Sequence, residues 1–187
     1  MTTTPQSSDP FDVLGLAPSF DLTHQEVERA YLAQAAGLHP DLGGASVGSD
    51  DLERETARLN AARATLRDAE RRAGALLARL GGPSASEDRS LPDGFLMEIL
   101  EIRERVEAAA GSGDPEQIAR WEAWAAEERA RYTREVSARF AQLGETPDAS
   151  DLGAIRTQLN AWRYIERLIE QLDPDYDPAR ADFGGGG

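Results

Sequence analysis

Apolar residues recur every three to four positions along almost the whole chain, and only rarely at every second position. Spacing of this kind places apolar side chains on one face of an α-helix. The residues between them are mostly alanine, glutamate, glutamine and arginine, which are good helix formers. We therefore expect an all-α fold.

The first half of the chain predicts one short helix followed by three longer ones. Thr23 and Glu26 have the spacing of a capping box, in which each side chain accepts a hydrogen bond from the other residue's backbone. The expected spans are 10–14, from 23 to about 38, from about 49–51 onward, and from about 68 to 80. The residues expected to face the core are Val27, Ala30, Tyr31, Gln34 and Leu38, and then Leu52, Thr56, Leu59, Ala62 and Leu66.

The second half predicts three long helices separated by short turns, roughly at 93–110, 115–143 and 150–172. Helices joined by short turns pack antiparallel, so we expect a three-helix bundle. A segment rich in glycine, serine and charge precedes the bundle and indicates a linker. The predicted organisation is a mobile tail at 1–8, an N-terminal domain at 9–80, a linker at 81–91, a bundle at 92–175 and a flexible tail at 176–187.

Composition narrows the classes of function. The formal charge is −14, there is no lysine, and there is no cysteine. A chain this acidic repels nucleic acid and anionic membranes, so neither is an expected partner. Without cysteine and with only two histidines, neither a metal site nor a bound cluster is expected, and no cofactor is predicted. The polar first ten residues resemble no signal peptide, and no stretch is long enough for a membrane span, so we expect a cytoplasmic protein.

His39, Pro40 and Asp41 stand between two predicted helices, in the stretch GLHPDLGG. A catalytic pair would need a nucleophile and an orienting partner, and a metal ion would need more ligands, so neither reading is favoured. No catalytic residue is predicted elsewhere, and we do not expect an enzyme. The stretch is either a helix stop with a capping turn or a contact surface. The proline stiffens such a surface, and Asp41 offers a carboxylate to an arginine of a partner.

The stretches on either side of the His-Pro-Asp motif favour a contact surface over a simple helix stop. The stretch FDVLGL at 11–16, the His-Pro-Asp motif and the stretch LNAARATLRD at 59–68 follow each other in the order found in J domains. This part of the chain resembles a J domain, the chaperone-activating module of the J-protein family. The resemblance implies a DnaK-type chaperone as partner, whose ATP hydrolysis is stimulated through His39, Pro40 and Asp41.

The helix before the motif departs from the J-domain pattern. In J domains that helix is usually basic, whereas here Arg29 is its only arginine, opposed by Glu26 and Glu28. Leu42 stands where the family usually has a basic residue. We therefore expect weak electrostatic steering of the chaperone, with Arg29 as a contact. The arginines of the two following helices are expected to lie on a solvated face; they are Arg63, Arg67, Arg71 and Arg72.

The stretch FLMEILEIRERV at 95–106 contains more apolar residues than one stripe needs. Four of them, Phe95, Ile99, Ile102 and Val106, have the spacing of a single buried stripe. Leu96, Met97 and Leu100 are left over. They either pack against the other helices or the N-terminal domain, or form an exposed apolar patch of the kind that binds a partner. The spacing alone leaves both possibilities open.

Three further stretches resemble the HscB family, the J-type co-chaperones of iron–sulfur cluster assembly. They are LLARLGG at 76–82, LPDGFLMEILEIRERVEAA at 91–109 and RYIERLIEQLD at 163–173. The resemblance implies that Leu96, Met97, Leu100 and Tyr164 bind an IscU-type scaffold protein, which is then delivered to a DnaK/HscA-type chaperone. The alternatives are a general J-protein with other clients, and a helical adaptor with a weakly active J-like domain.

Overall fold

The computed structural model describes residues 9–38 and 49–170, and helices are the only regular elements within them. The all-α prediction is confirmed, and most predicted helix ends lie within about two residues of those observed. The helices are α1 (Pro10–Leu14), α2 (His24–Gly37), α3 (Ser49–Arg67), α4 (Ala69–Arg79), α5 (Phe95–Ser112), α6 (Pro115–Gln142) and α7 (Ala149–Glu170).

Local chemistry accounts for where the helices begin. The predicted capping box is present at α2: the Glu26 N–H donates to Thr23 Oγ1 at 3.2 Å, and the Thr23 N–H donates to Glu26 Oε2 at 2.8 Å. At α6, Asp114 accepts from the Glu116 N–H at 3.0 Å. Each contact satisfies a backbone donor that has no partner inside its helix.

The chain divides into two compact units, Met1–Arg79 and Leu80–Gly187. In the first unit, α3 packs against each of the other three helices. Val27 on α2 and Leu59, Ala62 and Leu66 on α3 are buried, as predicted. The core of this unit also contains Phe11, Val13, Leu14, Phe20, Ala73, Leu76 and Leu77.

Gln34 and Thr56 are exposed, so the prediction that they face the core is wrong. Both lie in the half of the α2–α3 pair nearer to residues 39–48. In the described part of these two helices, no buried residue follows Val27 on α2 or precedes Leu59 on α3. The other predicted residues of these helices are half-buried, namely Ala30, Tyr31, Leu38 and Leu52. Helical spacing therefore gave the side of each helix but not the depth of burial.

Arg72 is buried, with only 6% of its surface exposed, which corrects the prediction of a solvated position. Its Nε donates to the Phe20 carbonyl at 2.7 Å, and its Nη1 donates to the Leu66 carbonyl at 2.5 Å. Leu66 lies in the last turn of α3, where carbonyls have no partner in the helix. Burial lowers the pKa of Arg72, but a guanidinium stays protonated at neutral pH. Arg71, its neighbour, is exposed as predicted.

A polar seam joins α2 to α3. Glu28 accepts from Arg63 Nε and Nη2, both at 2.8 Å, and Arg67 Nη1 lies 3.2 Å from the same carboxylate. Next to this cluster, the Tyr31 hydroxyl donates to Asn60 at 2.9 Å, and the Arg63 guanidinium lies over the Tyr31 ring. Two of the arginines expected to be solvated are therefore ion-paired across the hairpin.

The second unit contains α5, α6 and α7, each packed against the other two, which is the predicted three-helix bundle. Trp162 and Tyr132 are buried at its centre with their rings stacked 6.0 Å apart. The segment predicted as a linker is tied to this unit. Asn160 on α7 donates to the carbonyls of Asp88 and Ser90, each at 3.0 Å, and accepts from Arg156.

We predict that Arg72→Met destabilises the first unit by about 2–4 kcal/mol, because two buried carbonyls lose a charged donor. Arg71→Met is the matched control, since Arg71 is the exposed neighbour on the same helix, and it should change stability by less than about 0.5 kcal/mol. Urea unfolding followed by far-UV circular dichroism measures both. Equal stability of the two variants would contradict the structural role of Arg72.

A second prediction concerns pH. Hydrogen bonds from Arg63, and then the charges of Arg63, Arg67 and His24, hold the pKa of Glu28 below the ordinary value of 4.5. A carboxylate with a lowered pKa in the folded state stabilises that state above its unfolded-state pKa, and loses the effect as pH falls through the folded pKa. Glu28→Gln should therefore be less stable than the wild type at pH 7, and the difference should shrink as pH falls below 4.5.

Urea unfolding at a series of pH values between 7 and 3 measures this difference. Arg63→Gln serves as the control, because it removes the partner and leaves the carboxylate. A stability difference that does not change with pH would show that the Glu28 charge is not what joins the two helices.

Candidate functional site

Four large apolar side chains of the bundle are exposed together on α5 and α7, at 52% for Leu96, 74% for Met97, 57% for Leu100 and 40% for Tyr164. We call Leu96, Met97, Leu100 and Tyr164 the α5–α7 patch. Isolated exposed leucines are common, but neighbouring ones on one surface mark a contact site for a partner. The structure thus brings the sequence-predicted residues of the bundle into one region.

The start of α5 explains how the patch forms. Gly94 precedes the helix with a φ of 78°, which an L side chain rarely adopts. Phe95, Ile99 and Val106 then face the core and are at most 8% exposed, with Ile102 partly buried beside them. Each successive helical residue is turned by about 100°, so the leftover apolar residues point away from that core. The sequence left open whether Leu96, Met97 and Leu100 pack against α6 and α7. Their exposure shows that they do not.

Tyr164 connects the two helices of the patch. Leu159, Trp162 and Ile165 form the buried stripe of α7, and this leaves Tyr164 at the edge of the helix. Its ring packs edge-on against Phe95, with the centroids 5.9 Å apart and the planes at 69°. Because Phe95 directly precedes Leu96, Tyr164 lies next to the part of α5 that carries the patch residues.

Asn160 was not identified from the sequence, and it lies one turn before Tyr164. Its hydrogen bonds to the Asp88 and Ser90 carbonyls hold the segment that leads into α5. The signal that could have revealed it is a polar residue inside the apolar run LNAW on the buried side of α7, where it is only 9% exposed. A buried amide of this kind needs hydrogen-bond partners, and here they come from the preceding segment.

The predicted chaperone-binding motif, His39, Pro40 and Asp41, lies outside the described residues. Arg29, the fourth predicted contact, is exposed on α2. The two carboxylates expected to oppose it are both engaged. Glu26 belongs to the capping box, where hydrogen bonds from Thr23 lower its pKa, and Glu28 is bound by Arg63 and Arg67. Glu26 keeps its negative charge beside Arg29, and only the charge of Glu28 is offset by arginines.

Two features of the described residues bear on other kinds of function. They contain no group of three or more histidine, aspartate or glutamate side chains arranged as metal ligands. None of their helices is both long enough and apolar enough to cross a membrane.

In comparisons with known proteins, one family profile matches the second unit, and relatives match most of the chain. The profile of the HSCB C-terminal oligomerisation domain family matches residues 91–173, which contain the whole α5–α7 patch. A co-chaperone HscB homolog of Bordetella pertussis is 30% identical over 169 residues, covering 89% of this chain and 95% of that protein. One from Burkholderia mallei is 32% identical over 169 residues, covering 87% and 90%.

Solved structures show that the fold is shared. Chaperone HscB from Vibrio cholerae aligns with a TM-score of 0.69 at 24% identity, covering 88% of this chain and 94% of that one. The human co-chaperone protein HscB aligns with a TM-score of 0.72 at 22% identity, covering 92% and 83%. With relatives at 30% identity or more over nearly their whole length, this chain belongs to the HscB family of co-chaperones.

Proposed function

We propose that this co-chaperone binds an IscU-type iron–sulfur scaffold protein and delivers it to a DnaK/HscA-type chaperone, whose ATPase it stimulates. The observation that carries the proposal is the α5–α7 patch. Its four side chains are the ones that the resemblance to HscB assigns to scaffold binding, and all four are exposed.

The patch has the physical properties of a binding surface. Full burial of a leucine gains about 1.5–3 kcal/mol, and roughly half of that remains to be gained at Leu96 and Leu100. Met97 is the most exposed of the four at 74%, and its unbranched side chain adapts to the shape of a partner. The Tyr164 ring adds a flat apolar edge with a hydroxyl that tolerates water.

We assign chaperone binding to His39, Pro40 and Asp41, and to Arg29 on α2. Proline reduces the entropy lost when the motif docks, and Asp41 can accept two hydrogen bonds from one arginine of the chaperone. Arg29 is exposed, Glu28 is ion-paired with Arg63 and Arg67, and Glu26 stays charged, so an acidic chaperone surface meets only weak local attraction. Short-range contacts then carry more of the recognition than long-range attraction does.

Joining both binding surfaces in one chain raises the effective concentration of the scaffold at the chaperone. This co-chaperone then needs no cofactor and catalyses nothing itself, because the ATP site belongs to the chaperone. The iron–sulfur cluster is cargo of the scaffold. We place this role in the cytoplasm.

Two alternative functions have specific support. The α5–α7 patch is wholly apolar on α5, which would also suit a general J-protein that presents unfolded clients to DnaK. The scarcity of basic residues on α2 would suit an adaptor with a weakly active J-like domain. Binding of scaffold against unfolded clients separates the first alternative from our proposal, and a single-turnover ATPase assay with chaperone separates the second.

We predict that Leu96→Ala combined with Leu100→Ala weakens binding of the scaffold protein by roughly 30-fold, because about 2 kcal/mol of apolar burial is lost. The control is Glu101→Ala, which changes an exposed residue on another side of the same helix. Isothermal titration calorimetry measures both affinities. If the leucine variant binds scaffold as tightly as the wild type, the patch is not the scaffold site.

We also predict that His39→Gln abolishes stimulation of the chaperone's ATPase while scaffold binding stays unchanged. His24→Gln is the matched control, since His24 is the other histidine of the chain and lies at the start of α2. A single-turnover ATPase assay with and without scaffold is the measurement, with circular dichroism to verify the fold. Stimulation by His39→Gln equal to that of the wild type would refute the assignment.

A further inference from the structure

A second apolar surface lies between α5 and α6, away from the α5–α7 patch. It is a groove of about 470 Å³. Its lining residues are Arg105, Ala108, Gln117, Arg120, Trp121 and Trp124. We call it the α5–α6 groove, and the proposed binding of scaffold and chaperone does not use it.

Two indole rings form the apolar wall of the groove. Trp121 and Trp124 meet edge to face, with their centroids 5.4 Å apart and their planes at 78°. Both are partly exposed, and both pack against buried Val106 and Ala125 together with Ile169 of α7. The rings are therefore held in place before any ligand arrives, which lowers the entropy lost on binding.

Two guanidinium groups from facing helices border the same wall. The Arg105 side chain is 69% exposed, and Glu101 lies 3.9 Å away and is equally exposed, so their attraction is weak. Arg120 is exposed on α6 near Asp114. The Asp114 carboxylate already accepts from the Glu116 N–H and from the Gln117 amide. Both arginines are thus placed to bind an additional anion.

The groove and the patch occupy different sides of α5. Arg105 follows Leu96 by nine residues, which turns it about 180° around the helix and moves it about 14 Å along the axis. A partner bound at one surface therefore leaves the other accessible on this helix.

We propose that the α5–α6 groove binds an acidic peptide segment of a partner protein, with an apolar side chain against the indoles and its carboxylates on Arg105 and Arg120. The charge pattern supports this occupant. A chain of net charge −14 repels most anions, so an anion that binds here needs apolar contacts as well as the two arginines. An acidic peptide with an apolar side chain offers both. The polar lining residues are exposed or half-exposed. The groove therefore lacks the buried polar groups that orient a small molecule, and a peptide side chain suits it better.

The experiment follows the three indole N–H signals of the full chain by ¹H–¹⁵N NMR, assigned with single Trp→Phe variants. The probe is a short synthetic peptide rich in aspartate with one phenylalanine and one leucine. A neutral form with asparagine in place of aspartate is the peptide control. Trp162, buried with its N–H on Glu166, is the internal reference. The acidic peptide should shift the Trp121 and Trp124 signals and leave that of Trp162 unchanged.

Arg105→Gln with Arg120→Gln should weaken binding of the peptide by about tenfold or more, as should replacement of the peptide's carboxylates. Arg103→Gln with Arg139→Gln makes the same charge change on the same two helices and should leave the affinity within about twofold. Absence of shifts at Trp121 and Trp124, equal binding of the neutral peptide, or equal losses in the two double variants would overturn the proposal.

Discussion

The bundle buries one apolar stripe of α5, and this helix carries a second set of apolar residues. Phe95, Ile99 and Val106 fill the first and are nearly inaccessible to water, while Leu96, Met97 and Leu100 lie outside it at more than 50% exposure. The two sets lie on different sides of α5, and in the observed packing only the first is covered. The bundle therefore keeps an apolar surface in water, and the proposed scaffold binding depends on it.

Two supports hold the start of α5 and the segment before it. The Phe95 ring packs edge to face against the Tyr164 ring. Asn160 donates hydrogen bonds to the carbonyls of Asp88 and Ser90, just before the helix. Both supports come from α7. A stretch rich in glycine and serine, typical of a free linker, is thereby fixed at its end nearest to the patch. The same helix that contributes Tyr164 to the patch thus also positions the α5 residues that complete it.

Helix positions could be predicted from the sequence because apolar spacing and capping residues act locally. The buried stripe of α5 and the box at Thr23 and Glu26 are confirmed for that reason. The partners of Arg72 and Asn160 could not be predicted, since they are backbone carbonyls at Phe20 and Asp88, 52 and 72 residues away. Spacing along one helix carries no information about such contacts. For the same reason the sequence left the exposure of Leu96 open, and did not reveal the α5–α6 groove.

The arginines show how a very acidic chain distributes a limited positive charge. In the first unit Arg72 binds carbonyls, Arg63 and Arg67 share Glu28, and Arg79 joins Asp9 and Asp12 at 2.7 and 2.8 Å. These arginines hold α1 to α4 together, and paired charges contribute little potential at a distance. On the proposed function, attraction of the chaperone over long range is then weak, because Arg29 is the only arginine of α2 and Glu26 beside it stays charged. On the same proposal, partner choice rests on contacts made after encounter: His39, Pro40 and Asp41 for the chaperone, and the α5–α7 patch for the scaffold.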